Sequence, residues 1–288
     1  MIRPAPGVRT VVASPRDPYN SRVLGLLAPA AVAAACLTGG ARLDVEIGRR
    51  AMPWLPPDLA RQVVKHEREF AAGAAAAAQL PAASHRAGGV EAAILRQSES
   101  LARAIRNRAP FAEVVTGLGT LAHLVADLEC PFPSTATGDA NAKAFANYAR
   151  SAQRRIPLVF YGQPSRLLTG QLASFEPVLA ARGQVAVLLG PLVVEDLARV
   201  GGPQAWQRLD DRSTSFGVAS IVLNRAASNF ANLSSWVWYS AGGLVPALPT
   251  QPREILVWKG EARPRDIPRN PQPVTPGGEA PGARLSLR

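Results

Sequence analysis

The sequence predicts an all-α protein built as a multi-helix bundle. From about residue 43 to residue 241, apolar residues recur at helical spacing, and the period-two alternation typical of strands is rare. Pro and Gly divide this region into successive segments. With 288 residues, 47% of them hydrophobic, the chain can form one large helical core. We therefore expect a single all-α domain over residues 41–245.

The first half of this domain contains three clear helical patterns. The first begins at Pro56-Pro57-Asp58, residues that favour a first turn, and is expected to end at Gly73. The second follows Gly88-Gly89 and ends at Pro110. The third runs from Phe111 to about Cys130 and is apolar on most sides. Its composition places it at the centre of the bundle.

The second half continues with weaker patterns and one strong one. A helix is expected from near Asp139 to Arg155. The apolar run Val185–Val194 is interrupted by Gly190-Pro191, which indicates buried helix ends meeting at a turn. The last helix starts near Asp211 or Ser213 and continues to Gly242-Gly243, with apolar residues at helical spacing.

The two ends of the chain differ in composition from the domain. Residues 1–36 contain the apolar run Val23–Ala35, preceded by Arg22, which is typical of an export signal and is too short to span a bilayer. An ordinary buried helix is the alternative. Cys36 follows small residues, so lipidation is a further possibility. Residues 250–288 combine Pro, Gly and charge with few apolar residues, which predicts a disordered tail.

The net charge and the cysteine content limit the kinds of function that are expected for this protein. The formal charge is +11, which favours anionic partners such as a phospholipid surface. More than half of the excess lies outside the expected domain, in residues 1–22 and 252–288, and no basic run with interleaved aromatics is present. A nucleic-acid interface is therefore not expected. The two cysteines exclude a disulfide framework, and no transmembrane span is expected in the mature protein.

The most informative motif lies on the third predicted helix. His123 and Asp127 are separated by four residues and share a helix face, so both side chains can reach one cation. An imidazole and a carboxylate suit zinc. The alternative is a buried histidine that is hydrogen-bonded to an aspartate one turn away. Glu129 points to another face and is expected to be solvated, and His66 is expected at the surface.

This segment, LGTLAHLVADLECPF, resembles the central helix of the zinc-dependent phospholipase C and single-strand-specific zinc nuclease superfamily. There, an apolar stretch leads into HxxxD and then a Pro-containing turn. The likeness extends weakly to Ala41–Leu59, His66–Gly73 and Asp211–Gly243. It implies an all-α fold, an exported protein and a site that holds three zinc ions.

The resemblance also implies which ligands this chain keeps. His85 falls where a further ligand is expected, and Asp44 replaces the histidine of the opening helix. Pro133 replaces a histidine, and 141–147 contains neither the histidine nor the glutamate of another site. The metal ligands expected are therefore His85, His123, Asp127 and Asp44. They suffice for one zinc ion at most.

These observations lead to one functional hypothesis and two alternatives. The leading hypothesis is an exported phospholipase C-like protein with an incomplete metal site, weakly active or noncatalytic. The first alternative is a zinc-dependent phosphodiester hydrolase acting on phospholipid headgroups or nucleic acid. The second is a binding protein of the cell envelope in which the old site serves packing.

Overall fold

The helices of this computed structural model agree in type with the sequence prediction. The structure describes residues 42–132, 140–164, 167–169 and 171–248, and the backbone of 256–258. The α-helices are α1 (Arg42–Ala51), α2 (Pro57–Lys65), α3 (Glu67–Ala77), α4 (Gly89–Arg106), α5 (Phe111–Leu128), α6 (Ala140–Ala152), α7 (Glu176–Leu188), α8 (Gly190–Arg199) and α9 (Thr214–Ser240). The prediction of an all-α fold is confirmed.

Short elements connect these helices. Turns of 3-10 helix span Met52–Trp54, Ala82–His85, Leu172–Phe175 and Pro203–Arg208. Two three-residue strands, β1 (Leu158–Phe160) and β2 (Leu256–Trp258), pair antiparallel, with Val159 opposite Val257. Strand β2 lies within the predicted tail. The rest of 250–288, the leader 1–36 with Cys36, Pro133 and Asp139 lie outside the described residues.

Helix α5 forms the centre of the bundle, as its composition predicts. Its side chains are buried along most of its length, including Leu118, Leu121 and Val125, each 0% exposed. It packs against α1, α3, α4 and α9. A segment that is apolar on most sides finds neighbours on most sides, and this arrangement fixes the position of the HxxxD motif inside the core.

Glycine brings α3 and α5 into close contact. A Cβ on Gly73 would lie 1.8 Å from the Thr116 carbonyl oxygen, and one on Gly119 would lie 2.0 Å from the Phe70 oxygen. The expectation that Gly73 ends a helix is wrong, because α3 continues to Ala77. Gly73 allows backbone-to-backbone approach instead. The predicted helix also breaks at His66, whose φ of −117° and ψ of 39° separate α2 from α3.

Helix α9 carries a polar row that holds β1. Asn224, Ser228 and Asn232 lie one turn apart on one face of the helix. Asn224 Oδ1 accepts from the Val159 amide at 3.1 Å, and Ser228 Oγ accepts from the Tyr161 amide at 3.0 Å. Asn232 donates to the Gly162 carbonyl at 3.1 Å. These side chains satisfy backbone groups of β1 and of the residues after it, on the side of β1 away from β2.

The meeting of α7 and α8 corrects one prediction. The helices do meet at Gly190-Pro191, and a Cβ on Gly190 would lie 2.6 Å from the Pro131 oxygen. However, the side chains around this corner are not all buried, since Val185 is 46% and Leu188 is 72% exposed. The apolar run therefore has an inner face that packs and an outer face that does not.

Two described segments are apolar and long enough to cross a membrane by length and composition. The first, Phe111–Leu128, is α5, and 67% of it is buried in the bundle. The second, Leu172–Arg199, contains an 18-residue window with a mean hydropathy of 1.6, of which only 22% is buried. Since it is divided into a 3-10 turn, α7 and α8, it is not a continuous helix in this fold.

Candidate metal centre

Three side chains from two segments of the chain lie close together inside the bundle. His123 and Asp127 lie one turn apart on α5, and His85 lies in the turn Ala82–His85 before α4. The side chains of both histidines are 0% exposed and that of Asp127 is 2% exposed. One ligand atom from each lies within 4.8 Å of the others. Among the described residues, this is the group of histidine, cysteine and carboxylate side chains that could hold a metal ion.

Glycines hold the turn of His85 against the start of α4. Gly88 has a φ of 82°, which favours glycine, and a Cβ on Gly89 would lie 1.9 Å from the Ala83 carbonyl oxygen. The carboxylate of Glu91 accepts from the Gly88 amide at 2.6 Å and caps the helix. The Gly88-Gly89 pair therefore lets the turn that carries His85 fold back towards α5, in addition to beginning α4.

His85 points one ring nitrogen at Asp127. Its Nε2 lies 3.3 Å from the Leu80 carbonyl oxygen, and its Nδ1 lies 2.6 Å from Asp127 Oδ2. A carbonyl oxygen only accepts, so this contact favours the tautomer with hydrogen on Nε2. The Nδ1 lone pair then faces a carboxylate oxygen. That arrangement is stable only when a proton or another cation lies between the two atoms.

His123 is held in a similar way from the other side. Its Nδ1 lies 3.1 Å from Asp44 Oδ2, on α1, and its Nε2 lies 3.3 Å from Asp127 Oδ2. When Nδ1–H donates to Asp44, the Nε2 lone pair faces Asp127. The two imidazole rings meet edge to face with centroids 5.3 Å apart. Both histidines therefore direct a ring nitrogen to one carboxylate.

Asp44 lies behind His123 and outside the group of three. Its contact is with the ring nitrogen opposite the one that faces Asp127. A carboxylate in this position orients a ligating histidine and raises its basicity in many zinc proteins. The structure thus brings all four residues named from the sequence into one cluster, with three as possible ligands and Asp44 as their neighbour.

Two buried polar atoms in this cluster make no hydrogen bond among the described residues. They are Asp44 Oδ1 and Asp127 Oδ1. His123 Nε2 has a single hydrogen-bonding neighbour among the described residues, Asp127 Oδ2, at the longer distance of 3.3 Å. A buried polar atom without a partner destabilises the fold by about 1–3 kcal/mol. A cation bound between the histidines and Asp127 would satisfy the nitrogen and the carboxylate together, so the residues present fit a metal ion.

The pKa of His123 indicates how strongly the cluster attracts positive charge. Burial alone would lower the pKa of His123, but hydrogen bonds with Asp127 and Asp44 and their charges raise it to about 10. Burial raises the pKa of Asp44, against the opposing effect of His123. A metal ion would take the place of the proton on His123.

The donor set favours zinc. Two imidazole nitrogens and a carboxylate oxygen are ligands that zinc takes in tetrahedral sites, and three protein ligands leave a fourth position. Harder ions such as calcium and magnesium prefer oxygen ligands alone. The region where the resemblance implies further ligands carries none, because α6 places Ala144, Phe145 and Tyr148 in the core instead.

The structure also shows a buried charged group that the sequence did not predict. Glu129 is 0% exposed, with Arg225 Nε 2.9 Å from its Oε2 and Asn229 donating to its Oε1 at 2.7 Å. The expectation of a solvated Glu129 is wrong. Burial raises the pKa of Glu129 to about 7, although Arg225 and Arg182 oppose this. The signal was Arg225 and Asn229, one turn apart within an apolar helix.

His66 lies apart from this cluster. It is half-buried, with 19% of its side chain exposed, and its Nδ1 lies 3.7 Å from Glu69 Oε1. It is the first residue after α2, and it does not belong to the group of possible ligands His85, His123 and Asp127. His66 therefore provides a natural comparison for His85 and His123.

The fold and the cluster together define an all-α protein with a buried His-His-Asp group suited to one metal ion. No protein-family model matches the chain, and no curated protein matches it. Among solved structures it is similar to Clostridium perfringens alpha-toxin from avian strain SWCP, with a TM-score of 0.52 and 12% identity. The match covers 74% of this chain and 66% of the toxin chain, slightly less than two thirds. It shows a shared fold.

Proposed function

We propose that this protein binds a single zinc ion and is a phospholipase C-like helical protein, weakly active or noncatalytic. The observation that carries the proposal is the convergence of His85 Nδ1 and His123 Nε2 on Asp127 Oδ2, at 2.6 and 3.3 Å. Asp127 Oδ1, a buried atom with no hydrogen-bond partner among the described residues, supports it. The phospholipase C-like character is proposed from the resemblance of the HxxxD segment, and the fold shared with alpha-toxin supports the all-α part of that resemblance.

Burial of the cluster favours a noncatalytic function. The side chains of His85, His123 and Asp127 are at most 2% exposed, whereas a catalytic site must admit its substrate. In addition, the described residues contain no second group of potential ligands. In sites with several cations, phosphodiester cleavage uses different ions to hold the attacking and the leaving oxygen, so a single ion should support a much slower reaction. A bound zinc ion would then mainly stabilise the folded protein.

One observation favours hydrolysis as a second candidate. Three protein ligands leave one coordination position open, and a bound zinc ion in such a site polarises substrates and activates water near neutral pH. In that case Asp127 would hold the ion and Asp44 would keep His123 in the tautomer that binds it. The substrate class would be a phosphodiester, as the family resemblance implies.

Export remains part of the proposal. The apolar run Val23–Ala35 supports it from the sequence, and these residues lie outside the described part of the chain. A function at the cell envelope, as enzyme or as binding protein, would follow from export. N-terminal sequencing of protein recovered from the native host tests this directly, since cleavage near Cys36 is expected.

Metal analysis tests the central proposal. We expect about one zinc per chain by elemental mass spectrometry of protein purified without added metal. His123→Ala should abolish binding, while His66→Ala, the matched control, should retain it. Circular dichroism verifies that each variant is folded. Absence of zinc from the wild type after incubation with zinc salts would contradict the proposal.

Assays of activity separate the two candidates. Zinc-loaded protein is incubated with phosphatidylcholine and with a chromogenic phosphodiester, beside Asp127→Ala. Turnover that is lost in Asp127→Ala establishes the hydrolase. Zinc binding without turnover establishes the noncatalytic function. Turnover that survives in Asp127→Ala belongs to another site and would contradict the hydrolase candidate.

A further inference from the structure

The outer face of the corner between α7 and α8 is an apolar surface. Eight large apolar side chains are exposed among the described residues, and five of them lie within 185–194. These five form what we call the corner patch: Val185 (46% exposed), Val187 (40%), Leu188 (72%), Leu192 (43%) and Val194 (40%). The other three are Val64 on α2, and Tyr239 and Leu244 at the end of α9. The corner patch is thus a local concentration of exposed apolar area.

The segment that carries the corner patch contains no charged residues. The twelve residues from Gly183 to Val194 contain no Asp, Glu, Lys or Arg. The exposed face of a helix in a soluble protein normally carries charged residues. Charge returns directly afterwards with Glu195, whose side chain is 74% exposed, and Arg199, at 60%. The uncharged surface is therefore limited to the corner.

The corner is fixed to the bundle by its inner face. Leu179, Ala186, Val193 and Leu197 are each 0% exposed. On the same side, a Cβ on Gly183 would lie 3.2 Å from Leu128 Cδ1, and one on Gly190 would lie 2.6 Å from the Pro131 oxygen. Asp196 accepts from the Ser215 amide at 2.8 Å and joins α8 to α9. Because the inner face is already packed, the outer face is available to something outside the bundle.

The dimensions of the corner exclude a transmembrane hairpin in this fold. Helix α7 has 13 residues and α8 has 10. A helix needs about 20 residues to cross the hydrocarbon core of a bilayer. Apolar surface on short helices instead suits the interface, where side chains enter the boundary between headgroups and acyl chains to a depth of about 5–10 Å.

The area of the patch argues against a second protein chain. With these exposed fractions, the five side chains present roughly 400 Å², within the range of the largest apolar patch on a soluble monomer. A stable protein interface buries about 800 Å² on each partner. A bilayer has no such requirement, since each apolar side chain that enters it contributes separately.

We propose that the corner patch inserts into the interfacial region of a phospholipid bilayer and docks the protein on the membrane surface. The insertion is driven by apolar burial and requires neither anionic lipid nor a bound metal ion. Since Leu128 and Pro131 contact the corner, docking places the Asp127 end of α5 on the membrane side of the bundle. Because insertion depends on the apolar side chains of the corner patch alone, the proposal does not depend on catalytic activity.

Vesicle flotation with the full chain tests the proposal. We expect the wild type to bind vesicles of pure phosphatidylcholine, with less than a twofold change between 0.1 and 0.5 M NaCl. The double substitution Leu188→Glu/Leu192→Glu should lower the partition coefficient more than tenfold, since it removes two inserted side chains and adds charge. Leu244→Glu, a control at a leucine outside the corner patch that is 87% exposed, should bind like the wild type.

Three results would overturn the proposal. The first is absence of wild-type binding to any phosphatidylcholine vesicle. The second is binding that needs anionic lipid, disappears in 0.5 M NaCl and is unchanged in the double variant. The third is a wild-type dimer, seen by light scattering, that Leu188→Glu converts to monomer. Leu188→Trp provides a gain-of-signal test, because its added fluorescence should shift to the blue when vesicles are present.

Discussion

The carboxylate of Asp44 lies 3.1 Å from Nδ1 of His123, on the side of the ring away from Asp127. The two residues are 79 positions apart and belong to α1 and α5. This relationship fixes which nitrogen of His123 is directed towards the centre of the cluster. It also ties the proposed metal site to the opening helix, so that zinc binding and folding of α1 should depend on each other.

The first prediction concerns Asp44. Asp44→Ala should weaken zinc binding about 10–100-fold, the usual effect of removing a carboxylate that orients a ligating histidine. Asp44→Asn should have a smaller effect, because its amide oxygen can still accept from Nδ1–H. The measurement is competition with a chromogenic chelator at pH 7.5. Complete loss of zinc in both variants would show that Asp44 is itself a ligand.

The second prediction concerns pH. Because the pKa of His123 is raised to about 10, the metal-free protein carries a proton on this residue at pH 7. Zinc must displace that proton, so its affinity should increase about tenfold per pH unit between pH 7 and 9. Calorimetry in buffers of different ionisation enthalpy should show release of about one proton. A pH-independent affinity would contradict the assignment.

The same pKa determines how the stability of the metal-free protein depends on pH. A histidine whose folded pKa lies above its unfolded value of 6.5 binds protons more tightly in the folded state. Its contribution to stability is complete below pH 6.5 and is lost as the pH rises towards 10. We therefore expect the metal-free protein to become less stable over this interval, and His123→Gln to reduce that dependence. Thermal denaturation monitored by circular dichroism provides the data.

The third prediction concerns Glu129 and Arg225. Arg225→Met removes the cation 2.9 Å from the Glu129 carboxylate and leaves that carboxylate buried, so it should reduce the free energy of unfolding by about 3–5 kcal/mol. The matched control is Arg155→Met, which breaks an exposed ion pair with Asp211 and should cost less than about 1 kcal/mol. Urea denaturation measures both. The double variant Arg225→Met/Glu129→Met should recover part of the loss, since the unpaired carboxylate is then removed, although Arg182 also loses its interaction with Glu129.

The fourth prediction concerns the contact of α3 with α5. Gly73→Ala should destabilise the protein by at least about 3 kcal/mol, because the new methyl group would meet the backbone of Thr116, which cannot move aside as a side chain can. Gly217→Ala on α9 is the control. Apart from its chain neighbours and the backbone of its own helix, no atom lies within 4 Å of a Cβ there, so alanine should stabilise the helix by about 0.5–1 kcal/mol. Equal effects at both positions would contradict the close-packing explanation.

The sequence predicted the helices well and the interior polar groups poorly. The pattern of α4 follows from burial of one face and that of α5 and α9 from burial on most sides, and each helix begins and ends near the predicted residues. Gly73 was interpreted as a helix end because glycine is common there, whereas its contact with Thr116 depends on a helix more than forty residues away. Local preference does not contain that information.

The sequence alone determines the all-α fold, the central position of α5 and the shared face of His123 and Asp127. All three follow from the spacing and composition of residues within individual helices. The family resemblance added His85 and Asp44 as candidates. Only the tertiary structure decided that His85 meets Asp127, that Asp44 lies behind His123, that Glu129 is buried against Arg225, and that Leu188 faces outwards. Helical spacing specifies which residues share a face. What packs against that face depends on elements distant in the chain.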